Sequence, residues 1–278
     1  MRILVTNDDG IDSAGLHALS RRVAEVAEVI VVAPDREFSG SGASLGTLEM
    51  LEPDVRRVAP DAFDLGPVAE AWTVSGPPAL CVFFARMGAF GPWEDIDLVV
   101  SGINPGVNTG RAIYHSGTVG AVLTGRNGST SGVAVSQMVE GWGVEGQGHA
   151  TAEQHWDAAA LLAAGAAQQL VTSPPERPVV VNLNMPNAPI EDLDGWRFAE
   201  VGTRPPRAVE KVALVPKEDV EGAYRLEMTW GDAAELPAES DAGTVERNLV
   251  AVTYLSAFAH EQRDDLAAID EVFDDLVG

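Results

Sequence analysis

Apolar residues occur in short unbroken runs, each stopped by polar and glycine-rich punctuation, a pattern that predicts buried strands alternating with helices. Ile3, Leu4 and Val5 form the first run, so Arg2–Thr6 reads as a strand, stopped by Asn7-Asp8-Asp9-Gly10. Ser13 is a natural N-cap for a helix over Ala14–Ala24, and Glu28–Ala33 is a second apolar strand. A β–α–β opening implies a parallel sheet whose ligand crevice lies at the carboxyl ends of the strands. Further strands are predicted at Leu48–Val58, Ala71–Val74, Asp97–Ser101 and Pro178–Leu183. Helices are predicted from Pro77-Pro78 through Met87, from Tyr114–Gly120 through Leu123, and over the alanine-rich Ala152–Leu170. The segment Gln137–Thr151, with Trp142 and His149, reads as a glycine-rich loop.

Beyond Trp196 the pattern changes to alternating strands such as Tyr224–Trp230, parted by acidic and Pro/Gly loops, as far as Leu255. This resembles a hairpin arm of the kind through which subunits pair. In His260–Val277, Leu266, Ile269, Val272, Phe273 and Leu276 recur at helical spacing and predict a packed amphipathic helix. The expected organisation is one α/β domain over 1–278. It comprises a Rossmann-like, mostly parallel core of about 1–195, the helix of about 260–277, and the arm of about 196–255.

Composition narrows the classes of function. The 278 residues can bury a sizeable core, and the apolar and charged fractions are those of a globular protein. A formal net charge of −24 argues against affinity for nucleic acid or anionic membranes. No run has the length of a membrane span and the start lacks a signal-peptide pattern, so a cytoplasmic location is expected. The single cysteine, Cys81, rules out an internal disulfide framework and a cysteine-based zinc site.

Candidate chemistry begins at Asp8 and Asp9. On an extended strand neighbouring side chains diverge, so these carboxylates can converge only at the turn that Gly10 provides. Held together they repel, unless a cation or a shared proton intervenes, and a hard divalent metal is the simplest remedy. The competing reading is that they cap the next helix, although Ser13 already offers that cap. The Ser39-Gly40-Ser41-Gly42 loop follows the second strand, and Gly102–Gly110, with the amide oxygens of Asn104 and Asn108, follows the Asp97–Ser101 strand. Ser116, Thr118 and the free N–H groups opening the next helix would suit an anion. Each loop alone reads as a connector or cap, but all of them gather on one sheet edge. Neither a dinucleotide-binding glycine fingerprint nor a P-loop follows the first strand. His149 and His155 lack metal-like spacing, and the acidic run Glu235–Asp241 reads as solvated loop.

The segments Ile3–Gly10, Val32–Arg36 with Ser39-Gly40, Ser101–Asn104 with Gly106 and Asn108, Ser116–Ala121, and Val181–Pro186 closely resemble the SurE (survival protein E) family. The resemblance implies a divalent-metal-dependent phosphomonoesterase acting on nucleoside 5′-monophosphates, with 3′-monophosphates and short polyphosphate as further substrates. It also implies one Mg²⁺ or Mn²⁺ per subunit and a homodimer or homotetramer with exchanged C-terminal segments. By position, Asp8, Asp9, Ser39 and Asn104 correspond to the metal ligands, with Asp8 and Asp9 catalytic. Asn7, Gly40, Asn108, Ser116, Gly117 and Thr118 correspond to phosphate or substrate contacts. The chain departs from the family pattern at Thr124, before Gly125, at Gly76-Pro77-Pro78, and at Thr253-Tyr254-Leu255.

Two routes fit these residues: attack by a metal-activated water, or direct attack by Asp8 or Asp9 to give an aspartyl-phosphate. Arg111 and His115 are candidates for the leaving-group side. The alternatives to a phosphatase are a non-catalytic metal- and nucleotide-binding sensor, and a nucleotide-dependent oxidoreductase or transferase.

Overall fold

Strand β1 (Arg2–Thr6) sends Ile3 and Val5 into one apolar layer and Leu4 into the other, as a strand buried on both faces must. The computed structural model describes residues 1–46, 52–91, 95–139, 154–217, 220–256, 265 and 267–277. Helix α1 (Ala14–Ala24) follows β1, with Ser13 accepting from Leu16 N–H at 3.2 Å as its N-cap. Strand β2 (Glu28–Pro34) pairs parallel to β1 and repeats the alternation, Val29 and Val31 against Ile30 and Val32.

The chain continues through β3 (Val55–Val58), β4 (Glu70–Val74), α2 (Pro78–Arg86), β5 (Leu98–Pro105) and α3 (Gly117–Asn127). It then forms β6 (Gly132–Gln137), α4 (Trp156–Thr172), β7 (Val180–Met185) and β8 (Trp196–Phe198). Last come β9 (Arg207–Pro216), β10 (Tyr224–Ala233), α5 (Asp241–Val245), β11 (Val250–Leu255) and α6 (Ala267–Val277).

Nine strands make one sheet in the order β3-β4-β2-β1-β5-β6-β7-β11-β8. From β4 to β7 all neighbours are parallel, while β3 and β11 join antiparallel. Helices α1 and α4 pack together on one face, and α2 and α3 on the other. The chain winds outward one way from β1 through β2 and β4, and the other way through β5, β6 and β7. The crevice between the carboxyl ends of β1 and β5 is therefore the topological switch point of a doubly wound sheet. This confirms the expected α/β class.

Several elements differ from the sequence expectation. Strand β6 was not anticipated: Gly132–Gln137 is buried throughout, and its mixed, small-residue composition carries neither alternation nor a long apolar run. Gln137, expected to open a loop, ends this strand, and Trp142 and His149 lie outside the described residues. The first part of the predicted strand Leu48–Val58 and the start of the predicted helix at His260 also lie outside them. Strand β5 runs on to Pro105, with a register shift against β6 between Ser101 and Asn104. Such a bulge at a strand end re-aims the side chains beyond it.

The separate antiparallel pair β9–β10 spans Arg207–Ala233, whereas β8 and β11 belong to the main sheet. The projecting arm is thus shorter than the expected 196–255. Both of its strands expose apolar residues, Leu214 and Leu226 each at 66%. On α6, Ile269, Val272, Phe273 and Leu276 are exposed rather than packed on this chain's core. Among the described residues no helix is long and apolar enough to cross a membrane.

Candidate active site

Asp8 leaves the end of β1 at the switch point, 3% exposed, and its carbonyl accepts from Phe38 N–H at 2.7 Å. That bond ties the loop after β2 to the loop after β1. Asn7 builds the turn: its amide nitrogen donates to Gly10 O at 3.0 Å and to Ser13 Oγ at 2.8 Å. Helix α1 is capped by Ser13, so Asp8 and Asp9 are not needed for capping.

The Asp8 carboxylate faces the N-terminus of α3. Thr118 Oγ1 donates to Asp8 Oδ1 at 2.6 Å, and the backbone of Gly117 and Thr118 lies close enough to favour the charged form of this carboxylate. The helix can come this close because residue 117 is glycine; a Cβ there would lie 2.7 Å from both Asp8 Cβ and Asp8 Oδ2. The partial positive charge of the helix terminus is directed at Asp8. Thr118, expected from the sequence to meet a phosphate, gives its hydroxyl proton to a protein carboxylate. Ser116 Oγ caps α3, accepting from Val119 N–H at 3.1 Å, and keeps its own proton available for donation.

The electrostatics of the pair are unbalanced. Burial pushes the Asp8 carboxyl above the usual carboxylate range, against the lowering influence of Thr118 and Gly117. Asp9 is pushed well above it, first by burial and then by the charges of Asp8 and Glu37. Asp9 Oδ2 is buried with no hydrogen-bond partner. Two buried carboxylates and an idle oxygen fit a hard divalent cation, whose charge would reverse the penalty. No group of three or more His, Cys, Asp or Glu side chains suited to a metal occurs among the described residues. The remaining ligands of a cation here must therefore come from neutral oxygens.

Those oxygens line a cavity of about 270 Å³ formed by Asp8, Ser39, Gly40, Asn104, Asn108 and Ser116, with Pro105, Gly106, Val107, Ala112 and His115. Asn104 spends its amide nitrogen on Gly106 O at 2.6 Å, which leaves its oxygen as the free end. Ser39 Oγ donates to Glu37 Oε1 at 2.8 Å, so its lone pairs are turned away from that carboxylate. Seven of the candidate site residues thus share one cavity, His115 among them; Asn7, Asp9, Arg111, Gly117 and Thr118 are not part of its lining. A larger cavity of about 540 Å³ lies between α1 and α4, away from the carboxylate pair.

Asn108 is held more firmly than the sequence suggests. Its backbone N–H donates to Asn184 Oδ1 at 2.7 Å and its side chain donates to Ser136 Oγ at 2.9 Å. Its carbonyl accepts from Asn182 and Asn184 at 3.0 and 3.2 Å. The signal for this support was two asparagines inside the apolar strand Val180–Met185. Asp241, read from the sequence as solvated, is fully buried instead.

Residues 3–208 match the family described as Survival protein SurE. The chain is 33% identical over 270 residues to the 5′/3′-nucleotidase SurE of Cronobacter sakazakii, covering 95% of this chain and 94% of that one. It is 34% identical over 270 residues to the protein of the same name in Salmonella arizonae, with the same coverage. With the 5′-nucleotidase SurE of Haemophilus influenzae it shares 33% identity over 264 residues, 92% of either chain. Among solved structures, the SurE protein from Aquifex aeolicus superposes with a TM-score of 0.71 at 26% identity, covering 99% of both chains. By its motifs, its fold and these relationships, the chain belongs to the SurE family.

Proposed function

We propose that this protein is a divalent-metal-dependent phosphomonoesterase that converts nucleoside 5′-monophosphates to nucleoside and phosphate, with 3′-monophosphates and short polyphosphate as further substrates. The observation that carries the reading is the adjacent pair Asp8 and Asp9, with a buried, partnerless Oδ2 on Asp9, beside a cavity walled by neutral oxygen donors. Asp8, Asp9, Ser39 and Asn104 would hold one Mg²⁺ or Mn²⁺, all four being the oxygen ligands that such a cation prefers. When bound, the metal supplies charge neutralisation at the phosphoryl group and acidifies water.

The chain's own residues do the rest. Ser116, Gly40 and Asn108 line the wall against which the phosphate sits. Water attacks phosphorus and loses a proton to solvent, the P–O bond to the sugar breaks, and His115, an exposed residue of the cavity lining, would protonate the departing oxygen. Asp8 is better suited to binding than to nucleophilic attack, because the Thr118 hydroxyl already stabilises its charge. The chain acts as one α/β domain over 1–278. The exposed apolar faces of the β9–β10 hairpin and of α6 support a homodimer or homotetramer built by exchanged C-terminal segments.

The test is phosphate release from a panel of 5′- and 3′-nucleoside monophosphates and short polyphosphate, with Mg²⁺, Mn²⁺ or EDTA, for wild type and Asp8→Asn. Release that requires metal and collapses in the variant supports the reading. Nucleotide binding without release under any metal would replace it with a sensor.

A further inference from the structure

Asp241 is the one fully buried carboxylate that the hydrolytic scheme leaves unused among the described residues. Its two oxygens join segments far apart in the chain. Oδ2 accepts from Gly110 N–H at 2.7 Å, while Oδ1 accepts from Gly202 N–H at 3.0 Å and Ala242 N–H at 2.9 Å. Gly110 opens the segment that carries Ala112 and His115 into the cavity wall. Gly202 lies just before the β9–β10 hairpin, and Asp241 itself follows the hairpin's return. The Asp241 N–H donates to Glu200 O at 2.8 Å, so the outgoing and returning chains of the arm meet at this residue. The loops touch closely: a Cβ on Gly110 would stand 2.7 Å from Gly202 O.

A buried carboxylate is a costly way to satisfy backbone N–H groups, but its charge-assisted bonds are stronger than those of an amide. The phosphate side of the loop does not need it, because Asn108 is anchored independently by Ser136, Asn182 and Asn184. The stretch after Gly110 is held at its far end by Gly42 N–H, which donates to His115 O at 3.0 Å, and at its near end by Asp241.

Resting on the phosphomonoesterase reading above, we propose that Asp241 is a positioning residue that clamps the Gly110–His115 segment to the root of the hairpin arm. By this clamp it sets the wall that receives the nucleoside part of the substrate. Loss of the clamp weakens recognition of the nucleoside while leaving phosphate recognition intact.

The experiment compares wild type, Asp241→Asn and Gly202→Ala in steady-state hydrolysis of a nucleoside 5′-monophosphate with Mn²⁺, using inorganic phosphate as a competitive inhibitor. Asp241→Asn replaces one acceptor with a donor, and Gly202→Ala keeps the charge but brings a methyl to 3.0 Å from Asp241 Oδ1. The expected result is a KM raised about tenfold in Asp241→Asn and less in Gly202→Ala. The kcat should fall as well, because the same segment carries His115, while the phosphate inhibition constant stays within about twofold. Unchanged KM, a fall in kcat alone, or a parallel rise in KM and the phosphate constant would overturn the clamp. Should Asp241→Asn melt below the assay temperature, Gly202→Ala decides by the same criteria. Absence of phosphate release from wild type would overturn the hydrolase reading and the clamp with it, a result distinct from every variant outcome.

Discussion

Thr118 donates its hydroxyl to Asp8 Oδ1 at 2.6 Å, across 110 positions of sequence. The bond joins the carboxyl end of β1 to the amino end of α3, and a helix terminus is thereby directed at a proposed metal ligand. It is a supporting contact of the kind that orients metal ligands.

Replacing that hydroxyl with a methyl of the same shape tests its weight. Thr118→Val is expected to weaken Mn²⁺ binding by about 10–100-fold, the usual cost of removing a supporting bond to a ligand. Titration calorimetry of the metal-free protein with Mn²⁺ measures this directly. An affinity equal to that of wild type would remove Thr118 from the account.

The carboxylate pair makes a prediction about pH. The Asp9 carboxyl is raised above its ordinary value of 3.8, so between that value and its folded pKa the native chain holds more protons than the unfolded one. Metal-free protein should therefore lose stability as pH rises through this window, the loss complete above the folded pKa. Asp9→Asn, which carries no charge, is expected to keep only the part of that decline due to Asp8 and to be the more stable form at neutral pH without metal. Urea unfolding of both proteins across pH, with and without Mn²⁺, reads the difference. Mn²⁺ should stabilise wild type far more than the variant.

The asparagines of β7 hold Asn108, a proposed phosphate contact. Asn184→Ala leaves the N–H of Asn108 without its acceptor, in a buried setting, and should cost about 1–3 kcal/mol in stability. The same change should raise the inhibition constant for inorganic phosphate. Chemical unfolding and inhibition kinetics measure the two effects separately.

The exposed apolar faces predict assembly. On α6, Phe273 is 59% exposed and Leu276 74%, at a spacing that forms one stripe. Phe273→Asp in α6, or Leu226→Asp in the hairpin, is expected to shift the protein toward smaller species in sedimentation velocity at micromolar concentration. Unaltered sedimentation in both variants would exclude these faces from the subunit contacts.

Much of this architecture was legible in the sequence where local physics acts alone. The run Ile3-Leu4-Val5 followed by a turn, the cap Ser13, and the apolar strand after α1 are short-range signals, and β1, α1 and β2 begin where they indicate. The motif loops after β1, β2 and β5 could be placed on one edge because parallel crossovers leave every strand's carboxyl end on the same side. Strand β6 escaped notice because its burial comes from lying between β5 and β7, and nothing in Gly132–Gln137 encodes that position by periodicity. The arm's root was misplaced for a related reason: β8 and β11 join the main sheet through pairing partners distant in the chain.

At the site, the sequence by itself determined the donor chemistry: two adjacent carboxylates, with serine and asparagine oxygens after successive strands. Only the tertiary structure decided which partners those groups have. It brought the amino end of α3 and the Thr118 hydroxyl onto Asp8, anchored Asn108 on Asn182 and Asn184, and buried Asp241 between Gly110 and Gly202. The physical reason is that residue type specifies what a side chain can donate or accept, whereas burial and long-range approach specify which neighbour it meets and what charge it can bear.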